Sequence, residues 1–198
     1  MSILGKIVKS NSHTDYICQI FSEGEAEYTP QNTDYAFGTF VRINLNEKEE
    51  RFLVGLVYDT VLLNPDFGRL GPRLSSESDL QIFSPDYLNE RAVLIGILVV
   101  GQFVDEVVRQ GIPRLAATNE AQVSTLDANS ICAFHMMQQD TFQLTYLPNI
   151  LQQAGLLAQH LTSEVIEQLI DLLPEQTAIL QSINNDLQWR LHINGMRG

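Results

Sequence analysis

Positive charge is scarce in this sequence. Its 198 residues include 24 acidic and only 12 basic side chains, a net charge of −12, and no lysine or arginine occurs from Leu115 to Trp189. Proteins that bind nucleic acids directly use cations to displace counterions from the phosphates. This 75-residue stretch carries no such cations, so direct nucleic-acid binding is not expected.

Long apolar runs and a secretion signal are also missing. The longest apolar run, Ala92 to Val100, has the length of a strand, whereas a membrane-spanning helix needs about 20 apolar residues. The opening "MSILGKIVKS" has neither the apolar core nor the cleavage site of a signal peptide. The only two cysteines, Cys18 and Cys132, lie far apart. Together these features predict a cytoplasmic protein with reduced thiols and no membrane contact.

Short β-type segments joined by polar turns occupy residues 5–100. They are "GKIVKSNSHTDYICQIF", "DYAFGTFVRINL", "RFLVGLVYDTVLLNPDFG" and "RAVLIGILVVGQF". Internal glycines such as Gly38 and Gly55 are typical of strands with a β-bulge or a bend at a barrel corner. The apolar, β-branched run "VLIGILVVG" predicts the most buried strand. Beyond it, Gly111 to Asp127 is predicted to be an irregular crossing, and "SICAFHMM" a last strand.

From Tyr146 onward, apolar residues recur every three or four positions, which predicts three short amphipathic helices. Such helices must bury their apolar stripes against one another, the barrel or a partner. Leu169, Ile183 and Leu187 in these stripes form the candidate interaction surface. The predicted fold is therefore α+β, with a small antiparallel β-barrel and its exit linker in residues 1–140 and a three-helix segment in residues 141–198.

The barrel segments resemble the HAS-barrel, the amino-terminal barrel of HerA-type DNA-translocating ATPases. The resemblance is carried by "GKIV", "DYICQIF", "YAFGTFVRI", "FLVGLVYDT", "LLNPDFG" and "AVLIGILVVGQF", and by "GIPRLAATNEAQV", which is similar to the linker that leaves the family's barrel. It implies scaffold roles, without catalysis, for Tyr35, Gly38, Gly55, Asn64 and Pro65.

The phosphate-binding loop of that family has no counterpart here. Such a loop reads G-x-x-x-x-G-K-[ST], and its backbone amides and lysine hold the nucleotide phosphates. The single Gly-Lys pair, Gly5-Lys6, stands at the very start and is followed by Ile7. We therefore expect no ATP hydrolysis, no cofactor and no catalytic residue. The resemblance instead implies a non-enzymatic interaction or assembly module that binds a protein partner or forms a homo-oligomer.

A regulatory barrel that binds a small molecule or a nucleotide is the alternative function. Arg69 and Arg73 in "FGRLGPR" would then contact a ligand or partner, because arginines beside glycine-rich turns can hold phosphate or carboxylate. The same two residues also fit a solvated loop that pairs with Asp66 or Glu77.

One further group of residues is interpreted as structural. Cys132 and His135, followed by Met136 and Met137, contain soft metal ligands. Positions three apart on a strand point to opposite faces, however, and buried cysteine and methionine are ordinary core residues. No metal site is therefore predicted.

A hydrolase reaction built on paired carboxylates is the weakest hypothesis. Its candidates would come from the acids around the long loop, which are Asp59, Asp66, Asp79 and Asp86. Asp66 and Asp86 each follow a proline, a position where aspartate is a common turn residue.

We expect the purified protein not to bind duplex DNA at physiological salt, since its net charge of −12 repels a polyanion. A gel-shift titration at about 0.15 M salt should show no complex at micromolar protein. Submicromolar binding that weakens steeply with added salt would contradict this expectation.

Overall fold

A computed structural model describes residues 1–45, 51–63, 92–105, 107–137 and 141–195 of the chain. In this described part, seven strands form one antiparallel sheet: β1 (Ile3–Ser10), β2 (Asp15–Ile20), β3 (Phe40–Asn44), β4 (Arg51–Leu63), β5 (Ala92–Val104), β6 (Val107–Gln110) and β7 (Gln122–Thr125). Their order is β2-β1-β7-β3-β4-β5-β6, and pairing of β2 with β5 closes six of them into a barrel. The predicted α+β class and antiparallel β-barrel are confirmed.

Strand β5 joins the barrel wall to the rest of the sheet. It pairs with β4 along its whole length, from Ala92 opposite Leu63 to Val104 opposite Arg51. On its other edge, the first half pairs with β2 and the second half, from Gly101, pairs with β6. The first half of β5 therefore closes the barrel. The second half continues past β2 and forms a hairpin with β6.

Two apolar clusters lie on opposite faces of the same strands. The inner cluster fills the barrel and takes alternate residues, for example Val41, Leu53 and Ile97. The outer cluster lies between the barrel and the helices, and takes the intervening residues, such as Phe40 and Leu98. Strands β3, β4 and β5 are thus buried on both faces, which explains the uninterrupted apolar run of β5.

The helices of the described chain are α1 (Ala128–His135), α2 (Leu147–Gln153), α3 (Ala158–Leu172) and α4 (Thr177–Gly195), with short 3-10 turns at Asn32–Tyr35, Gly155–Leu157 and Pro174–Gln176. There are four α-helices and not the three predicted. Each of them is too short or too polar to span a lipid bilayer. The predicted domain boundary at residues 140 and 141 adjoins residues outside the described ranges.

The additional helix, α1, replaces the predicted strand "SICAFHMM". Asp127 caps it: one carboxylate oxygen accepts from the backbone N–H of Ser130 at 3.0 Å and the other from its hydroxyl at 2.8 Å. Such capping supplies a partner for an amide at the helix start that otherwise has none. Only Met136 and Met137 are extended, forming the two-residue strand β8 that pairs with β9 (Thr141–Phe142).

Strand β7 lies within the segment predicted to be an irregular crossing. It is four residues long, which is too short to show a period-2 pattern in the sequence. Its pairing is nevertheless essential to the barrel, because it lies between β1 and β3 and bonds to both.

Gly38 permits the close approach of α3 to the barrel. Its φ of +86° is a left-handed conformation, and a Cβ there would collide with the Glu164 side chain. The Gly38 carbonyl accepts a hydrogen bond from the Gln168 side-chain amide of α3 at 3.1 Å. Gly24 has a similar φ of +88° but open space around it. A side chain at Gly24 would therefore cause backbone strain alone, whereas one at Gly38 would cause the same strain and also a collision with α3.

We expect Gly38→Ala to lower the free energy of unfolding more than Gly24→Ala. Both substitutions carry the left-handed strain of about 1–2 kcal/mol, but only Gly38→Ala also displaces α3. Urea unfolding of the two variants measures the difference. Adding Glu164→Ala to Gly38→Ala should recover part of the loss because it removes the colliding Cγ, and equal losses in the two single variants would contradict the proposed contact.

Candidate functional site

The interior of the barrel is filled by its own side chains. Tyr16, Ile43, Leu53 and Ile97 point inward and are at most 2 % exposed. A Cβ added at Gly55 would collide with the Ile97 side chain, so there is no room at this point of the interior even for a methyl group. The interior built by these described residues is therefore packed, and the two clefts lined by described residues include exposed positions such as Leu62 and Val107.

His135 is committed to the protein core and is not available to a metal. It is fully buried among Phe40, Phe134, Phe142 and Tyr146, with ring centroids 5.2–6.4 Å away. Its Nδ1 lies 2.7 Å from the Ile131 carbonyl oxygen, which can only accept, so Nδ1 carries the proton. Its Nε2 then accepts from the Tyr146 hydroxyl at 2.7 Å.

The other soft ligand, Cys132, does not join His135. Its Sγ lies 3.8 Å from the Leu172 carbonyl oxygen of α3. Among the described residues, no group of three or more His, Cys, Asp or Glu side chains is arranged to hold a metal ion. Cys18 lies inside the barrel, where burial raises the pKa of its thiol, so this thiol is a poor nucleophile.

The predicted interaction surface is partly internal. Leu169 is fully buried in the outer cluster, between α3 and the barrel. Ile183 and Leu187 of α4 are half-buried against the same cluster. The contacts of Leu169 are therefore those of a helix that docks on the barrel, and partner binding by the helical segment stays a prediction.

The predicted ligand contacts, Arg69 and Arg73, lie outside the described residues. The same holds for three of the four candidate catalytic acids, Asp66, Asp79 and Asp86. The fourth, Asp59, is exposed on β4 and accepts a hydrogen bond from the backbone N–H of Thr60 at 2.8 Å. The structure thus brings none of these residues together into a site.

Among the described residues, strand β4 has an edge without a partner where it leaves the barrel wall. Its pairing with β3 ends at Leu56, and two more backbone bonds join Val57 to Gly38 and Thr39. From Asp59 to Leu63 it pairs with β5 alone. In the described part of the chain no other strand bonds to this edge. We call residues 59–63 and their partners at 92–96 the ribbon.

Tyr58 fixes the direction of the ribbon. The register of β4 against β5 shifts between Val57 and Asp59, so Tyr58 is the extra residue of a β-bulge. Its hydroxyl donates to the Asp15 carboxylate at 2.8 Å, and burial raises the pKa of this hydroxyl. A Cβ at Gly96 would lie only 3.0 Å from the Tyr58 ring, so the glycine allows the ring to cover the neighbouring strand.

The free edge is apolar. Val61, Leu62 and Leu63 are 45 %, 74 % and 48 % exposed. Beside them runs a groove of about 440 Å³, lined by Ile20, Phe21, Ser22, Thr29, Pro30, Tyr35, Leu62, Leu63, Ala92 and Val93. Unpaired backbone groups next to exposed apolar side chains are the features by which a sheet takes up a further strand. The ribbon is therefore the candidate interaction site.

One family model matches almost the whole chain. Residues 2–197 match the model of a family described as a domain of unknown function, DUF8166. The chain belongs to this family. No match was found among curated proteins. The barrel, the ribbon and the described helices all lie within the DUF8166 match, so each is part of one family domain and not an addition to it.

Sequence reasoning missed the ribbon for a physical reason. "RFLVGLVYDTVLL" was correctly predicted to be a strand, and its last residues are as apolar as its first. Nothing in this pattern shows that β3 stops pairing at Leu56 and leaves Val61 to Leu63 exposed. The useful signal was the length of β4, since its 13 residues exceed the five of β3.

We expect the DUF8166 domain to lose stability as the pH falls below 6.5. Burial lowers the pKa of His135 from 6.5 to about 4, so between these values the unfolded chain takes up a proton that the folded chain does not. The free energy of unfolding should therefore drop by about 2 kcal/mol between pH 7 and pH 5 from this residue.

Urea unfolding at the two pH values measures this loss. In the double variant His135→Phe with Tyr146→Phe, which removes both polar partners together, the pH-dependent loss should shrink by that amount. His160→Gln, at an exposed position of α3, is the matched control and should behave as the wild type. A pH dependence that is the same in all three proteins would rule out His135 as its source.

Proposed function

We propose that this protein is a non-enzymatic interaction module whose ribbon accepts a β-strand from another chain. The resemblance of its barrel to that of HerA-type ATPases supports an assembly role without ATP turnover. In this proposal the partner is a second protein or another copy of the chain. A cytoplasmic location remains part of the proposal.

The free apolar edge of β4 is the observation that carries the proposal. Natural sheets usually protect such edges with charges, prolines or a covering element. Here Asp59 supplies one charge and occupies the amide of Thr60, but the three residues that follow are apolar and exposed. A strand added along Val61 to Leu63 would gain backbone hydrogen bonds and cover Leu62.

The alternative function, a regulatory barrel that binds a small molecule or a nucleotide, finds little room inside the packed barrel, where Tyr16, Ile43, Leu53 and Ile97 are at most 2 % exposed. Arg69 and Arg73, which that alternative assigned to the ligand, are outside the described residues. A small-molecule function would therefore need a site on the outside of the barrel.

We expect Leu62→Lys to abolish assembly or partner binding while leaving the fold intact. The charge would oppose burial of the edge, but at a position 74 % exposed it should change the free energy of unfolding by about 0.5 kcal/mol or less. Sedimentation velocity measures self-assembly, and pull-down with the tagged protein followed by purified binary binding measures a hetero-partner.

Leu156→Lys is the matched control. Leu156 is 98 % exposed on a 3-10 turn next to α2, so it offers the same loss of a surface leucine away from the edge. Assembly or binding that survives Leu62→Lys but is lost in Leu156→Lys would move the interface to the helices. A wild-type protein that is monomeric and has no partner would overturn the proposal.

A further inference from the structure

A second cleft lies at the end of the barrel, on the hairpin formed by β5 and β6. Its volume is about 520 Å³, and its lining residues are Gln102, Val104, Asp105, Val107, Arg109, Arg114 and Leu115. Volumes of 300–1,000 Å³ are typical of small-molecule sites. Two arginines line it in a protein whose net charge is −12.

The register of the hairpin builds the floor of this cleft. Gln102 lies opposite Arg109, and Val104 lies opposite Val107. Because side chains alternate along a strand, these four side chains share one face. The residues between them, Phe103 and Val108, pack against the helices on the other face. The cleft face is therefore held rigidly by the packing behind it.

The segment after β6 forms the opposite wall and is anchored at both ends. Gly111, with a φ of +100°, turns the chain at the end of the hairpin. The His13 Nε2 donates to the Pro113 carbonyl oxygen at 2.8 Å, and the Tyr16 hydroxyl accepts from the backbone N–H of Ala117 at 3.1 Å. These bonds place Arg114 and Leu115 beside the hairpin.

Gln102 directs an unused donor into the cleft. The residue is only 5 % exposed, and its Oε1 accepts from the backbone N–H of Arg114 at 3.2 Å. This bond fixes the amide orientation and leaves Nε2 without a partner among the described residues. No fully buried side-chain nitrogen or oxygen in the described chain lacks a partner, so Nε2 is at least slightly exposed to solvent, and Gln102 is one of the residues that line the cleft.

Among the described residues that line the cleft, the charges are unbalanced towards the positive. Both carboxylate oxygens of Asp105 are occupied by Arg51, at 2.9 Å each. Apart from this pair, the described residues form one other ion pair with each other, between Lys6 and Glu120. Neither Arg109 nor Arg114 pairs with a carboxylate of the described chain. The cleft therefore offers two guanidinium groups and one amide donor for an anion.

We propose that this cleft binds an organic monocarboxylate with an apolar body. Guanidinium groups match the planar carboxylate with two parallel hydrogen bonds, and the Gln102 amide adds a third donor. Val104, Val107 and Leu115 provide the apolar wall for the rest of the ligand. A single negative charge fits better than several, because the net charge of −12 repels polyanions at long range.

The carboxylate can belong to a free acid or to the carboxyl terminus of a peptide. Isothermal titration calorimetry with hexanoate, with a short peptide ending in leucine and with the same peptide amidated separates the two sources. Saturable binding of hexanoate identifies a small-acid site. Binding of the free-acid peptide alone, lost on amidation, identifies a carboxyl-terminus site.

Inorganic phosphate and ATP serve as the polyanion probes. We expect both to bind more weakly than the carboxylate. Tighter binding of either one, or no saturable binding of any carboxylate up to millimolar concentration, would overturn the proposal. Strand addition at the ribbon uses residues outside this cleft, so a failure of carboxylate binding would leave the proposed function of the ribbon standing.

Arg109→Gln combined with Arg114→Gln tests the site directly. Removing charge-assisted hydrogen bonds should raise the dissociation constant by about tenfold or more. Lys9→Gln, at an exposed cation on β1 outside the cleft, is the matched control and should leave the constant unchanged. If the control raised the dissociation constant as much as the double variant does, the binding would depend only on the overall charge of the protein, and the proposed site would be refuted.

Discussion

Burial of strands β3, β4 and β5 on both faces is the constraint on which the rest of this structure depends. The inner residues fill the barrel and the outer residues receive the helices. Neither layer can be removed without exposing an apolar face of the same strands. This coupling explains why α3 approaches as closely as Gly38 permits, and why its Leu169 is fully buried. The barrel and the helical segment share one buried boundary.

The two candidate surfaces occur where this double burial ends. β4 continues past β3 and becomes the ribbon, and β5 continues past β2 and becomes the hairpin of the cleft. Both strands are 13 residues long, whereas β2 and β3 have six and five. The excess length extends beyond the closed wall and is available for contacts with other molecules. The recognition surfaces proposed here are thus extensions of the wall itself and not separate loops.

Much of the architecture could be predicted from the sequence, because strands with an apolar pattern and helices with a 3.6-residue period leave local signals. "VLIGILVVG" predicted the most buried strand, and β5 has more buried residues than any other described strand, although a larger share of the shorter β3 is buried. Helix α1 was wrongly predicted to be a strand, because the cap formed by Asp127 is a stronger local signal than the short apolar run that follows it. The cleft was not predictable, because it depends on Gln102 lying opposite Arg109, and the sequence does not encode register locally.

Strand β7 sets the order in which this protein can be completed during synthesis. It lies between β1 and β3, yet it follows both in the chain, and Ser124 pairs with Ile3 across almost two thirds of the sequence. Until residue 125 has left the ribosome, β1 and β3 each have an edge with no partner. Closing the barrel therefore waits for one four-residue strand, and loops of this length make the step slow. A nascent chain that stalls before this point would carry two open sheet edges that β7 covers in the described part of the finished domain.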